Sequence, residues 1–245
     1  MKQKKDTHFG YETINKEEKS KKVSAVFDSV AKNYDLMNNL MSMGLHHVWK
    51  KILIETTTLK AKSRILDIAA GTADISIEFL KKNKNYQIFH TDINLSMLKE
   101  GKKKLINEGK IIPSILCDAE SLPFPDNFFD CVTIGFGLRN MTNKKQALKE
   151  IYRVLSPGGK LVILEFSKIW PPFKKIYDQF SFKILPKLGK LFAKDENSYK
   201  YLVESIRMHP DQKKLLELIK SVGFEKTSFL NLSSGIVSIH KGYKF

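Results

Sequence analysis

From Arg64 onward, short apolar runs alternate with amphipathic stretches, and this alternation limits the fold more than any other feature of the chain. Arg64–Ala69, Gln87–Asp92, Ser114–Asp118, Phe129–Ile134 and Lys160–Phe166 read as five buried strands. Helical patterns lie among them: Ile75–Leu80, a stretch through Met97, Leu98 and Leu105, and Lys145–Leu155, which stops at Pro157-Gly158-Gly159. Strands alternating with helices imply right-handed crossovers and a mainly parallel sheet. The last two apolar runs, Phe229–Leu232 and Ile236–His240, have only a Ser-Ser-Gly turn between them. That spacing is too short for a crossover helix, so these two pair antiparallel.

The flanking segments follow. Residues 1–22 are polar and Lys-rich and read as a basic flexible tail without the apolar middle of a secretory signal. Val23, Val26, Phe27 and Val30 open a helical region over 23–60. A core spans 61–168. The aromatic stretch 169–210, with Pro171-Pro172 and Pro186, reads as a helical lid insertion, and 211–245 hold a last helix and the antiparallel pair. Together, 23–245 read as a single domain. No run of 18 apolar residues is present, so no transmembrane helix is expected. Cys117 and Cys131 sit in apolar runs and read as reduced, buried thiols of a cytoplasmic protein. The net charge of +16 invites a nucleic-acid reading, but only four of the 42 basic residues are Arg, and the Lys are spread along the chain. No nucleic-acid partner is expected: a bias toward Lys at solvated positions accounts for the charge, and a peripheral contact with an anionic membrane surface is the next reading.

In an open α/β sheet, ligands bind at the carboxyl ends of strands. The loop there reads Asp67-Ile-Ala-Ala-Gly71-Thr72-Ala73-Asp74. It lacks the G-x-G-x-x-G of a dinucleotide site, and Asp74 would oppose a pyrophosphate. A ligand with a cationic portion suits it better, and S-adenosylmethionine has a sulfonium, an ammonium and one carboxylate. Asp92 ends the second strand, where a carboxylate accepts ribose hydroxyls. Asp118 ends the third, where it accepts from an adenine amino group while the next amide donates to the ring. Taken singly, each acid is as readily a helix cap; in register with the glycine turn they point to a nucleoside site. No metal site is indicated.

With these residues in place, the chain from about Val23 to its end resembles the ubiquinone/menaquinone biosynthesis C-methyltransferases. The matching segments include Phe27–Asp35, Gly44–Lys50, Asp92–Leu98, Phe136-Gly-Leu-Arg139-Asn140, Arg153–Gly159, Met208-His-Pro-Asp-Gln212 and the terminal Lys241-Gly-Tyr-Lys-Phe245. The resemblance implies a Rossmann-like class I S-adenosylmethionine-dependent methyltransferase fold, with a mainly parallel seven-stranded sheet and one antiparallel strand. It also implies cofactor contacts from Thr72, Asp92 and Asp118-Ala119, alongside Asp67 and Gly71. Two departures stand out. Ala70 and Ala73 occupy positions usually held by Gly, where a methyl group restricts positive φ. Gly135 stands where the family often has Ser, so a hydroxyl contact is not carried over.

The family's reaction methylates a ring carbon of a polyprenylated hydroquinone. Loss of a hydroquinone proton activates the carbon, so the protein must align the reactants and stabilise the anion. Arg139 and Asn140 are the candidates for the ring oxygen; His46, Tyr34 and His209 are candidate bases. His46 is equally read as a helix cap and Tyr34 as a core aromatic. The isoprenoid tail points to an entry lined by Phe173, Tyr177, Phe180, Phe182, Phe192, Tyr199 and Tyr201, although packed lid helices would bury the same residues. Competing readings are a nucleic-acid or other small-molecule methyltransferase and a non-catalytic scaffold of the same fold. An Asp/Asn-Pro-Pro-aromatic motif, usual in amino-methylating enzymes of nucleic acids, is missing after the fourth strand. Naphthoquinol or benzoquinol acceptor, tail length and homo-oligomer formation are left open.

Overall fold

The computed structural model describes residues 6–184 and 196–245. A two-stranded antiparallel hairpin, β1 (Asp6–Phe9) and β2 (Glu12–Asn15), leads directly into α1 (Lys16–Val30). The stretch 6–22, expected as a flexible tail, is therefore built into elements. Its polar residues disguised the helix, because α1 buries only part of its surface there. After a 3₁₀ turn, α2 (Tyr34–Ser42) ends on Met43 in the left-handed region at φ 51°, and Gly44 at φ 77° starts α3 (Leu45–Thr56).

The core follows as β3 (Arg64–Ile68), α4 (Asp74–Lys82), β4 (Gln87–Asp92), α5 (Leu95–Asn107), β5 (Ser114–Leu116), β6 (Phe129–Gly135), α6 (Lys144–Val154) and β7 (Leu155–Phe166). Three later helices start at short polar caps, as sequence favours at such positions. Asn94 accepts from Met97 N at 2.8 Å, Asn143 from Gln146 N at 3.1 Å, and Asp211 from Lys214 N at 2.9 Å. The insertion begins with α7 (Pro171–Gln179), where the prolines occupy the first turn, which spends no helical N–H on them. A π-helical turn (Phe180–Ile184) follows, and α8 (Glu196–Met208) completes the described insertion. Pro186 and Phe192 lie outside the described residues. The chain ends with α9 (Gln212–Lys220), β8 (Glu225–Leu232) and β9 (Val237–Tyr243).

Seven strands form one sheet in the order β5-β4-β3-β6-β7-β9-β8. The first five run parallel, while β9 is antiparallel to both β7 and β8. The mainly parallel sheet with one antiparallel strand is thus as expected. Apolar residues bury both faces. Ile65, Phe79, Ile88 and Val162 belong to one cluster, while Leu66, Phe129, Ile151 and Ile163 belong to the other. Consecutive residues such as Ile65 and Leu66 fall on opposite faces, which is why buried parallel strands read as continuous apolar runs. The strand order reverses at β3, between β4 and β6, so a crevice must open at the carboxyl ends of these strands.

Candidate active site

A cavity of about 400 Å³ occupies that position. Gly71, Asp92, Asp118, Ala119, Tyr34 and Asn140, all expected at the site, line it together. Asp92 is held by the loop it faces: its Oδ2 accepts from Gly71 N at 2.9 Å and its Oδ1 from Asn94 N at 2.8 Å. Burial pushes its carboxyl up to about 6, against the opposing pull of those backbone N–H groups. At neutral pH it is an anion with lone pairs left for ligand hydroxyls. Asp118 Oδ1 accepts from Glu120 N at 2.8 Å, which leaves its other oxygen for the cavity.

The glycine turn keeps its shape at a cost in strain. Ala69 and Ala73 take φ of 51° and 65°, whereas Ala70 does not enter the left-handed region. The position constrained by a methyl group is therefore Ala69 rather than Ala70. The turn after β6 packs closely on this loop: a Cβ at Gly137 would sit 2.5 Å from Ala69 Cβ. A side chain at Gly135 would meet Ile75 Cδ1 at 2.3 Å, so Ile75 fills the space there.

Three expected cofactor-loop residues are placed elsewhere. Asp67 is fully buried and off the cavity, accepting from Ser76 Oγ at 2.7 Å and Thr133 Oγ1 at 3.0 Å. Strand alternation sends its side chain to the α4 side of the sheet, where it ties α4 to β6. Thr72 donates to Asp35 Oδ1 at 3.1 Å and lines a second cavity, of about 250 Å³. Asp74 contributes no free negative charge, because it pairs with Lys50 at 2.5 Å and Lys104 at 2.6 Å. Burial alone would raise its carboxyl, yet the two ammoniums hold it well below the usual carboxylate range.

The candidates for proton chemistry also sort by geometry. Arg139 does not face the cavity. Its guanidinium pairs with the buried Glu165 at 3.1 Å and donates to Phe136 O, while its backbone N donates to Glu165 Oε2 at 3.1 Å. A carboxylate with no solvent contact captures the nearest guanidinium, so Arg139 braces the cavity wall from behind. Asn140 does face the cavity, and its Oδ1 accepts from Tyr201 Oη at 3.0 Å. Tyr34 lines the cavity, but burial pushes its phenol up to about 12, making it a donor rather than a base. His46 lies off the cavity beside Asn39 Oδ1, at 3.0 Å, and burial together with Lys50 lowers it to about 4. His209 is also off the cavity, and burial, with Lys144 and Arg139 nearby, drives it well below its usual range. Of the expected entry aromatics, Tyr199 and Tyr201 are core, and Tyr177 and Phe182 enclose the Arg207 guanidinium at 4.9 and 5.2 Å. None of the six that are described lines the cavity.

Sequence reading missed the roof. Glu17, Ser20, Val23, Ser24 and Phe27 of α1 line the cavity at helical spacing. The stripe was visible in the sequence, but its first half is polar, and hydrophobic periodicity does not register polar positions.

The cavity chemistry fits S-adenosylmethionine. Among the described residues its lining holds four acids, Glu17, Asp92, Asp118 and Glu120, and one base, Lys16, in a chain of net charge +16. The carboxylates of Asp92 and Asp118 can accept from hydroxyl and amino donors, the Ala119 amide can donate, and the acidic surroundings suit a sulfonium. Phe27, Met97 and Phe136 supply apolar surface for ring systems.

The comparisons agree with this geometry. A sequence model described as the ubiE/COQ5 methyltransferase family matches residues 15–244. A ubiquinone/menaquinone biosynthesis C-methyltransferase of Neisseria meningitidis is 56% identical over 240 residues, covering 98% of both chains. Its counterpart in Paraburkholderia phymatum is 55% identical, covering 98% of this chain and 99% of that one. In fold, the chain is similar to a crystal structure of an S-adenosylmethionine-dependent methyltransferase from Thermotoga maritima, with TM-score 0.63, 18% identity, and coverage of 90% and 99%. The chain belongs to the ubiE/COQ5 methyltransferase family and is an S-adenosylmethionine-dependent C-methyltransferase.

Proposed function

We propose that the protein methylates a ring carbon of a prenylated hydroquinone in ubiquinone or menaquinone biosynthesis. The observation that carries this reading is the cavity itself: acidic groups at the β4 and β5 ends, and apolar rings beside Asn140 and Tyr34. Bound S-adenosylmethionine supplies an electrophilic methyl group on a sulfonium. Gly71, Asp92, Asp118 and Ala119 would hold its nucleoside part, and the Asp67 and Asp74 contacts keep the glycine loop in place. Tyr34 and Asn140 offer polar atoms to the acceptor ring, and Arg139 keeps the wall carrying Asn140 fixed through Glu165 and Phe136. Transfer from the cofactor would join the methyl group to the ring carbon with loss of the methyl–sulfur bond, the displaced ring proton leaving to water.

The acceptor's isoprenoid tail calls for contact with a bilayer. No helix among the described residues is long and apolar enough to cross one. Met43, Leu45 and Val48 around the start of α3, and Trp170 and Phe173 at the start of α7, are exposed. The two places are tied by the Ser233–Ser234 turn, whose Ser233 Oγ accepts from Trp49 Nε1 and whose Ser234 O accepts from Trp170 N. This surface, with exposed Lys174 and Lys175 beside it, is where peripheral contact would occur. The test of the reaction is transfer of labelled methyl to prenylated naphthoquinol and benzoquinol precursors, with product identification. Labelled ring-methylated product is expected from at least one. Cofactor binding without transfer to either would refute the reading.

A further inference from the structure

Two lysines stand behind the cavity wall and take no part in the scheme above. Lys19, on α1, is buried, and its Nζ donates to Met141 O at 3.3 Å. Lys144, at the start of α6, donates to the same oxygen at 3.4 Å. Met141 lines the cavity next to Asn140, so two ammoniums share one carbonyl of the cavity wall. One carbonyl does not compensate a buried and a half-buried cation.

The surrounding charges leave this excess standing. Lys19 faces Lys144 of α6 and Glu120 of the loop after β5. Lys144 faces Glu120, Glu165 of β7 and Arg139. His209, at the end of α8, faces Lys144, Arg139 and Lys19 but is held neutral. Three cations thus oppose two carboxylates. Glu165 is taken by Arg139, and Glu120 Oε1 accepts from Asn143 N at 2.7 Å. Polar capacity is left over as well: both His209 ring nitrogens and Arg139 Nε are buried without hydrogen-bond partners among the described residues.

We propose that Lys19 and Lys144 are positioning residues that make the Met141 end of the cavity electropositive and so promote ionisation of the acceptor's ring hydroxyl. The inference rests on the hydroquinone reading above. Net positive charge then stands behind the Asn140–Met141 wall, three cations against Glu120 and Glu165, while Asp92 and Asp118 line the cavity for the sulfonium. In the ionisation, the O–H bond breaks, its electron pair stays on the ring oxygen and the proton leaves to solvent. Burial and the neighbouring Lys144 lower Lys19 to about 8, and burial lowers Lys144. An incoming anionic oxygen reverses both penalties, and at neutral pH Lys19 still carries its charge for that purpose. At the effective dielectric of a protein interior, a charge about 10 Å away shifts a phenolic ionisation by about one pH unit.

The test uses 2-naphthol as an ionisable aromatic probe, titrated by absorbance in the full-length protein with S-adenosylhomocysteine, which has no methyl group to give. The bound naphthol is expected to ionise at lower pH than in water. Lys19→Met and Lys144→Met should each move that ionisation up by about one unit, and Lys19→Arg should restore it. The pH profile of kcat should shift with it, so that either Met variant loses about tenfold at low pH and recovers as pH rises. Circular dichroism checks that the variants fold, and Lys19→Arg preserves the charge if Lys19→Met does not. An ionisation and a pH profile unmoved by removing either charge would overturn the proposal. So would naphthol that ionises in the wild-type site as it does in water. If the naphthol shifts appear while no prenylated quinol is methylated, the electrostatic inference stands and the substrate reading fails.

Discussion

Asp92 joins the sequence reading, the structure and the proposed cofactor site most directly. It sits where the strand alternation places it, and two backbone N–H groups fix its carboxylate. Its folded ionisation near 6, raised by burial, has a measurable consequence. Ligand hydroxyls donating to the carboxylate favour the anion, so cofactor binding is strongest above that pH and weakens as pH falls through it. Isothermal titration from pH 5 to 8 should show this loss for the wild type. Asp92→Asn should bind about tenfold or more weakly, with little pH dependence, since a hydrogen bond to a charged group is worth about 1.5–3 kcal/mol. A wild-type affinity flat across this range would remove Asp92 from direct contact. Asp67 was legible as a strand-end acid but not as an internal tie, because its partner Thr133 lies 66 residues away. Arg139 likewise revealed its position in sequence but not its partner.

Among the elements, the turn after β6 carries the heaviest load. Gly137 lets it approach Ala69, Asn140 presents its side chain to the cavity, and Glu165 of β7 anchors it through the Arg139 backbone and guanidinium. Glu165→Gln keeps the shape but leaves a buried guanidinium uncompensated, so it should destabilise the fold by about 3–5 kcal/mol in urea unfolding. A loss below about 1 kcal/mol would mean that other groups satisfy Arg139. The hairpin and α1 act as a second unit. Phe9 stacks on Tyr201 at 4.2 Å, and Tyr201 donates to Asn140, so the roof is coupled to the wall by two contacts. The core strands and the antiparallel end were legible because each obeys a local pattern. The roof was not, because the face α1 presents to the cavity is partly polar.

At the scale of the molecule, positive charge and cavity charge have opposite signs. A chain of net +16 keeps four acids around its cavity and spreads Lys over its surface. That surface should bind vesicles containing anionic lipid at low ionic strength. It should release them as salt shortens the Debye length from about 10 Å at 0.1 M to about 3 Å at 1 M. Val48→Asp and Trp170→Asp should weaken co-sedimentation further, since both side chains are exposed and apolar. Equal sedimentation with neutral and anionic vesicles would count against the charge term, and unchanged binding of both variants against this face. By itself, the sequence determined the sheet, its antiparallel strand, the strand-end acids Asp92 and Asp118, and the family. These follow from periodicity and from motifs contiguous in the chain. Only the tertiary structure decided that Asp67, Asp74 and Arg139 spend their charge inside the protein, that α1 closes the cavity, and that Lys19 meets Lys144 at Met141. Each of those outcomes depends on partners far apart in sequence, and a side chain's charge belongs to whichever buried group the fold brings within hydrogen-bond reach.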